Sequence, residues 1–234
     1  MKNEVIDLAD FHSHILPGLD HGSSSLATSI SQLNIAKKFN VSRIIATSHF
    51  YPHVHTLENF IKMRKIAAQE LINNLNICDP EIKIGAEVLL CDGLDRLSGL
   101  NQLCFSGTDY LLLELPFNDF KLEYCDTIHD ILKSGIDVIL AHADRYPREN
   151  IEYLFDVGVS KIQLNAASLS SFLCNKHLIE WIDKGYVVAI GSDIHGSHKK
   201  AYQHFSKAKR KLASRIEAIK EKSDKIWNEI ESEF

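Results

Sequence analysis

Apolar residues along this chain gather into short runs, and most of the runs end in a histidine or an acid. Val5-Ile6-Asp7-Leu8-Ala9-Asp10-Phe11 ends in His12-Ser13-His14, and Arg43-Ile44-Ile45-Ala46-Thr47-Ser48 ends in His49. Ile82-Lys83-Ile84-Gly85-Ala86 leads to Glu87, and Tyr110-Leu111-Leu112-Leu113 leads to Glu114. Val138-Ile139-Leu140-Ala141 leads to His142, and Val187-Val188-Ala189-Ile190-Gly191-Ser192 leads to Asp193-Ile194-His195. Short runs of this apolar, β-branched kind are read as buried strands. A seventh, Lys161-Ile162-Gln163-Leu164-Asn165, has no imidazole or carboxylate at its end.

Between the runs the apolar period lengthens to that of a helix. Ser25 to Phe39 puts Leu26, Ile30 and Leu33 on one face, with Asn40 closing it, and Thr56 to Asn74 does the same with Phe60, Ala67, Leu71 and Leu75. Further helices are predicted near 122–134, 148–157 and 172–184. Gly135, Gly158 and Gly185 follow helical stretches and precede β-rich runs, the place of a helix-ending glycine. A Lys/Glu-rich tail from about Ser206 carries Leu212, Ile216, Ile219, Ile226 and Ile230 as an apolar face to pack on the barrel or on another subunit. From His14 to His49, Glu87, Glu114 and His142 the steps are 35, 38, 27 and 28 residues, each near the ~30 residues of one βα unit. The step from His142 to Asp193 is 51 residues and contains the seventh strand. The pattern predicts an α/β chain, one domain over residues 1–234, whose parallel strands form a βα barrel with a site at their carboxyl ends.

Metal binding is the chemistry that these strand-end residues serve. His12/His14 and Asp193/His195 are each two residues apart, which on an extended chain puts both side chains on one side. Imidazoles and carboxylates without thiolates suit divalent Mn, Fe, Co or Zn. The donors outnumber what one ion can use, so Glu87 and Glu114 are placed to bridge ions. Metals ~3.5–4 Å apart clamp the attacking and leaving oxygens of a phosphoryl displacement, and a bridging hydroxide attacks with no protein nucleophile. The loop Ile15-Leu16-Pro17-Gly18-Leu19-Asp20-His21-Gly22 turns back toward the site and offers Asp20 or His21 as a further ligand. Arg145, three residues past His142, is placed to hold phosphate oxygens bidentately, with Lys199 and Lys200 as point charges for the same task. His53 and His55 are read as loop residues at the mouth and His129, His177 and His204 as helix-surface residues; His198 is left open.

Composition narrows the partners. With 45% hydrophobic and 24% charged residues in 234, the chain buries an ordinary core, and its net charge of -5 points away from nucleic acid. No apolar stretch reaches ~18 residues, and Met1-Lys2-Asn3-Glu4-Val5-Ile6-Asp7 lacks a signal peptide's apolar core, so a cytoplasmic location is expected. The five cysteines, Cys78, Cys91, Cys104, Cys125 and Cys174, form no Cys-x-x-Cys pair and no disulfide framework. A cysteine phosphatase needs an arginine six positions after its nucleophile. Glu180 stands there after Cys174, and Arg96 follows Cys91 one residue too early.

The blocks His12-Ser13-His14-Ile15-Leu16-Pro17-Gly18-Leu19-Asp20-His21-Gly22, Ala46-Thr47-Ser48-His49, Gly85-Ala86-Glu87, Ala141-His142-Ala143-Asp144-Arg145-Tyr146 and Ser192-Asp193-Ile194-His195 resemble the polymerase-and-histidinol-phosphatase (PHP) superfamily. Within it they resemble the branch of bacterial metal-dependent tyrosine-protein phosphatases from capsular and exopolysaccharide operons, over about residues 5–200. The resemblance implies a distorted (β/α)7 TIM-like barrel with a trinuclear, Mn2+-activated site. It implies His12, His14, Glu87 and Asp193 on one ion and Glu87, Glu114 and His142 on the second. The third would take the turn residue (Asp20 or His21) with His49, Glu114 and His195. Arg145, His142 and Glu114 are the implied catalytic residues, and Arg145 is the implied phosphate contact, joined by Lys200 as a candidate. The family usually has Asp-Asp-Gly where this chain has Asp20-His21-Gly22, so an imidazole stands where the second acid would bind. The implied substrate is a phosphotyrosine protein, the tyrosine-rich tail of a bacterial tyrosine kinase. Rival readings are a small-molecule phosphatase of the histidinol-phosphate type, a TatD-like nuclease, and a catalytically silent partner in polysaccharide assembly.

Overall fold

The structure, a computed structural model, describes residues 7–117, 120–172 and 175–232. Its strands are β1 (Asp10–Ser13), β2 (Arg43–Ala46), β3 (His49–Phe50), β4 (Glu81–Ile84), β5 (Glu87–Leu89), β6 (Tyr110–Glu114), β7 (Asp137–Leu140), β8 (Lys161–Asn165) and β9 (Val187–Gly191). Its helices are α1 (Leu26–Lys38), α2 (Leu57–Ile72), α3 (Glu123–Lys133), α4 (Arg148–Val157), α5 (Ala166–Ser170), α6 (Lys176–Asp183), α7 (Lys200–Leu212) and α8 (Arg215–Glu229). The strands pair in parallel in the order β3-β5-β6-β7-β8-β9-β1-β2-β4. Because β2 pairs with β4 while β3, its continuation, pairs with β5, the sheet returns on itself. Seven staves result, two of them interrupted: a distorted (β/α)7 barrel.

The interruptions correct two expected strands. The run Arg43–Ser48 breaks at Thr47, whose hydroxyl and amide both turn to the Ser13 carbonyl of β1, and the chain resumes as β3 at His49. The run Ile82–Ala86 breaks at Gly85, where a Cβ would come within 2.5 Å of the Phe105 ring. Ser106 N and Phe105 N there donate to Ile84 O and Tyr110 O, filling the gap between β4 and β6.

Burial on both faces follows strand parity. Phe11, Ile45, Leu112, Ile139 and Ala189 pack inside the barrel, while Leu111, Leu113, Val138 and Leu140 pack toward the helices. Helix α1 begins at the Ser25 cap and α2 at the Thr56 cap, each side-chain oxygen accepting a backbone N–H of the first turn. Asn40, Gly135, Gly158 and Gly185 all have positive φ, as helix-ending residues do.

Two helical expectations change. The helix expected near 172–184 is α6, which starts only at Lys176 because Asn175 takes an extended, capping backbone, and a short helix that was not expected, α5, precedes it; Leu173 and Cys174 lie outside the described residues, as do Val5 and Ile6 of the first run. The tail is helical from Lys200, not Ser206, since Tyr202 and Phe205 already face the core. It breaks at Ala213 (φ 48°) and packs on the barrel. Ile226 and Trp227 of α8, with Ile230 just after it, close the barrel floor. The buried Lys83 ammonium donates to the Trp227 and Ile230 carbonyls at 2.7 Å each, satisfying the helix end.

Candidate metal centre

Glu87, the first residue of β5, is buried at the centre of the strand-end residues. Its Oε2 lies 3.1 Å from His12 Nε2, 3.3 Å from His14 Nε2 and 2.9 Å from His49 Nδ1. Its Oε1 lies 2.8 Å from His142 Nε2. Asp193 Oδ1 stands 3.7 Å from His12 Nε2 and 3.4 Å from His14 Nε2. Glu114 reaches His142 Nε2 at 3.4 Å and His49 Nδ1 at 3.8 Å with its two oxygens. Among the described residues, three sets of donors have all their ligand atoms within 4.8 Å of one another: His12, His14 and Glu87; His49, Glu87 and Glu114; and His14, His49 and His195.

Backbone irregularities bring these side chains together. Ile139 and Ala141 already face the barrel interior, so an unbroken strand would turn His142 outward. Its backbone instead takes φ 32°, and Asp193 takes φ 50°, a left-handed conformation that costs a residue with a Cβ about 1–3 kcal/mol. On β1 the pairing with β2 shifts register between Asp10 and Ser13. That irregularity lets Phe11 fill the barrel while His12 and His14 meet the cluster. Gly191 and Gly22 make room: a Cβ would lie 2.5 Å from His12 Cβ at the first and 2.1 Å from His14 Cβ at the second.

A supporting set orients the imidazoles. Gln163 Oε1 accepts the His142 amide at 2.7 Å and the His12 Nδ1 proton at 3.0 Å, which leaves His12 Nε2 free to face the cluster. Gln163 Nε2 donates to Asn165 Oδ1 at 3.0 Å, and Asn165 Nδ2 donates to Asp193 Oδ2 at 3.1 Å. Asp144 holds Asn165 by its backbone N–H at 2.7 Å. Asp10 accepts the Ser192 amide at 2.8 Å, tying the tops of β1 and β9 together, and burial pushes its carboxyl up to about 6. Sequence reading missed all four. The available signal was the seventh strand itself: Gln163 and Asn165 are polar side chains at its interior-facing positions, where packing alone would demand apolar ones.

The turn resolves into two roles. Asp20 spends both oxygens, on His14 Nδ1 at 2.9 Å, the Gly22 amide at 2.8 Å and the His49 amide at 3.0 Å. It therefore orients His14. His21 lies with its ring against His49 and His195, at centroid distances of 4.8 and 4.6 Å.

Unpartnered atoms test whether the group fits a metal. His195 Nε2 is buried with no hydrogen-bond partner, and Glu87 Oε2 and His49 Nδ1, both buried, meet at 2.9 Å without the geometry of a hydrogen bond. His12 Nε2 and His14 Nε2 face each other at 3.1 Å, a gap with room for at most one proton. Burying polar atoms unpaired is costly, and a divalent cation accepting their lone pairs removes the cost. The residues fit. Burial pulls the His14 imidazole down, but the neighbouring carboxylates of Asp193, Asp20 and Glu87 overcome it and hold it well above its ordinary range. The same contest, won by Glu114 and Glu87, takes His142 to about 9. Burial favours protonating Glu87 and Asp193, yet the surrounding imidazoles, with Arg145 beside Asp193, keep both carboxyls far below theirs. His195 goes the other way: burial and the neighbouring His14 charge lower it to about 4, the neutral form that coordinates.

Arg145 ends the 3-10 turn Ala143–Arg145 at the rim and pairs through Nη2 with Asp193 Oδ2, partly exposed to solvent. Lys199 lines a surface cleft with Ile30, Asn34 and Lys38 of α1, and Lys200 opens α7, exposed, with its charge felt by His204. Neither has a contact with the cluster among the described residues. His55 accepts the Tyr51 amide at 3.1 Å, and His53 lines a neighbouring cleft. His129, His177 and His204 lie on helices, and His198 is exposed before α7. Burial raises the thiols of Cys91, Cys104 and Cys125, Cys104 to about 12, so they are poor nucleophiles.

Fold and site together define a parallel βα-barrel protein with a buried imidazole–carboxylate cluster able to hold metal at its carboxyl-end mouth. The chain belongs to the capsular polysaccharide synthesis CpsB/CapC family, whose model matches residues 8–229. CapC of Staphylococcus aureus is 30% identical over 201 residues, covering 80% of this chain and 77% of that protein. The tyrosine-protein phosphatase CpsB of Streptococcus pneumoniae is 26% identical over 207 residues, 80% of this chain and 83% of that one. A solved structure described with YwqE from Bacillus subtilis and CpsB from Streptococcus pneumoniae as metal-dependent tyrosine phosphatases superposes with a TM-score of 0.70. It is 22% identical and covers 88% of this chain and 86% of that one, a likeness of fold. No helix among the described residues is long and apolar enough to cross a membrane.

Proposed function

We propose that the protein is a metal-dependent phosphomonoesterase that hydrolyses phosphotyrosine in proteins. The observation that carries this reading is Glu87: one buried carboxylate within 3.3 Å of four imidazole nitrogens from three other staves, three of them converging on its Oε2. Such an arrangement serves a bridging ligand. His12, His14, Glu87 and Asp193 would hold one ion and Glu87, Glu114 and His142 a second. His49, His195 and Glu114 would hold a third with His21, since Asp20 is occupied. Mn2+ is the proposed activating ion. Bound divalent ions supply Lewis acidity and a water of lowered pKa.

The chain's own residues supply the rest. Arg145, at the rim and partly solvent-exposed, offers a planar fork to phosphoryl oxygens once its pairing with Asp193 is relaxed. Gln163 and Asp20 keep His12 and His14 presenting Nε2 inward. The relatives named as tyrosine-protein phosphatases support phosphotyrosine as the substrate, and the capsular family supports a role in polysaccharide synthesis; the proposed protein substrate is the tyrosine-rich tail of a kinase, met in the cytoplasm. The test compares a phosphotyrosine peptide with histidinol phosphate and single-stranded DNA, with and without chelator. Chelator-sensitive turnover of the peptide is expected; preference for either other substrate would overturn the reading.

A further inference from the structure

Charge is spread unevenly along this chain, and its most basic stretch starts at the barrel mouth. From Ile194 to Ile216 there are seven lysines and arginines and no Asp or Glu. The stretch therefore carries +7 in a chain of net charge -5, which leaves -12 for the remainder. It follows directly on Asp193 and continues as α7, which descends the outside of the barrel. At the far end Lys209 donates to the Asn40 carbonyl beyond α1, and Arg215 pairs with Asp183 at the end of α6. The neighbouring helix α1 supplies no acid either, since the sequence from His21 to Leu57 is free of Asp and Glu.

Helix α7 sorts its residues by face. Tyr202, Phe205, Ala208 and Leu212 are buried on the barrel side. Lys200, Lys207, Arg210 and Lys211 are exposed, with half-buried His204 among them. At 3.6 residues per turn these five fall within about 120° of arc. Lys200, Lys207 and Arg210 form no ion pair among the described residues. Lys211 donates to the Ser171 carbonyl and His204 meets Ser170 Oγ at 2.6 Å, so their partners on α5 are neutral. The charges do not serve the helix itself. Lys207 and Lys211 are like charges four residues apart, and Lys199 and Lys200 stand at the amino end, where the helix dipole is already positive and the first turn has no acid.

We propose, resting on the phosphotyrosine reading above, that the outer face of α7 is a docking surface for an acidic polypeptide, the segment of the substrate protein that flanks its phosphotyrosine. Charge complementarity selects this partner, and position supports it: Lys200 lies five residues beyond His195 of the cluster. From Lys200 to Lys211 the helix rises about 16 Å, the span of about five extended residues. Beside its start, Lys199 and Lys38 flank a cleft lined by Ala27, Ile30, Ser31 and Ser197, with no carboxylate on its walls. A short acidic segment meets the basic face alone. A membrane or a nucleic acid is a more extended polyanion and would also face the -12 carried by the rest of the chain.

Full-length, Mn2+-loaded protein is assayed on phosphotyrosine peptides that differ only in having glutamate or glutamine at the flanking positions. At low salt the glutamate peptide should have a KM on the order of 10-fold lower, an advantage that shrinks as salt is added, as electrostatic capture does. The double change Lys207→Glu with Arg210→Glu, at two exposed positions away from the cluster, should abolish the advantage. It should leave kcat on the glutamine peptide and the melting temperature unchanged. Equal KM for the two peptides in the wild-type protein would overturn the proposal, as would a variant that keeps the full preference. Binding is read separately with a fluorescent glutamate peptide that carries tyrosine in place of phosphotyrosine, with anionic vesicles and single-stranded DNA as competitors. Salt-sensitive binding of that peptide by the wild-type protein and not the variant, with no phosphopeptide hydrolysed, removes the phosphatase reading and leaves the docking surface; hydrolysis with no preference does the reverse. Tighter binding of vesicles or DNA than of the peptide, lost in the same variant, would give the face to that partner and overturn the proposal.

Discussion

Replacing Gln163 with leucine keeps the volume of the side chain and removes the amide through which β8 holds two candidate ligands. Gln163 Oε1 accepts from His142 N at 2.7 Å and His12 Nδ1 at 3.0 Å, and all three residues are buried. Leucine leaves both donors without a partner, at about 1–3 kcal/mol each, and its own burial returns part of that. A net loss of about 2–4 kcal/mol is expected. At about 2–4 °C per kcal/mol for a chain of this size, the metal-free protein should melt roughly 5–15 °C lower. Metal binding should weaken separately, by about 10–100-fold, because His12 loses the bond that fixes its tautomer. Gln163→Glu keeps the acceptor and should recover much of the affinity. The assay is a pair of measurements on each variant: thermal melting in chelator, and Mn2+ affinity by competition with a chelating dye. A lower melting temperature with unchanged affinity would reduce Gln163 to a packing residue. No change in either would refute the orphaned-donor reasoning.

The remaining expectations are shorter. Purified protein should carry two to three divalent ions per chain, with activity lost in chelator and restored by Mn2+; full activity in metal-free protein would end the metal reading. Glu114→Ala should cost at least about 100-fold in turnover, since it removes a ligand placed between His49 and His142, and wild-type turnover in that variant would take Glu114 out of the site. Arg145→Ala should lower phosphotyrosine turnover with metal content unchanged, and Arg145→Lys should recover it only in part because an ammonium lacks the fork; loss of metal would instead make its pairing with Asp193 the reason it is there. Lys83→Met should destabilise the protein by about 1–3 kcal/mol by orphaning the Trp227 and Ile230 carbonyls at the barrel floor, while leaving metal affinity intact; a change in affinity would show that the floor and the mouth are coupled.

What could be read from the chain was whatever the barrel imposes as a local rule. A parallel strand is buried on both faces and ends at the site, so an apolar run followed by His or Glu identifies both the element and the candidate ligand. Hence His12, His14, His49, Glu87, Glu114, His142, Asp193 and His195 stood out, and so did the βα rhythm. The breaks at Thr47 and Gly85 did not. Each arises from a contact with another stave, Ser13 in one case and the loop carrying Phe105 in the other, and the pattern of residues 43–48 or 82–86 contains no trace of it. Gln163 was hidden for the same reason: its partners lie 21 and 151 residues away. The turn shows the limit most clearly, because Asp20 and His21 are adjacent and both are able to coordinate. What separates them is that Asp20's oxygens meet His14 and two backbone amides, while His21 meets two imidazoles. A ligand is announced by residue type and strand position; its orienting partner is decided by the closed barrel, and only geometry distinguishes the two.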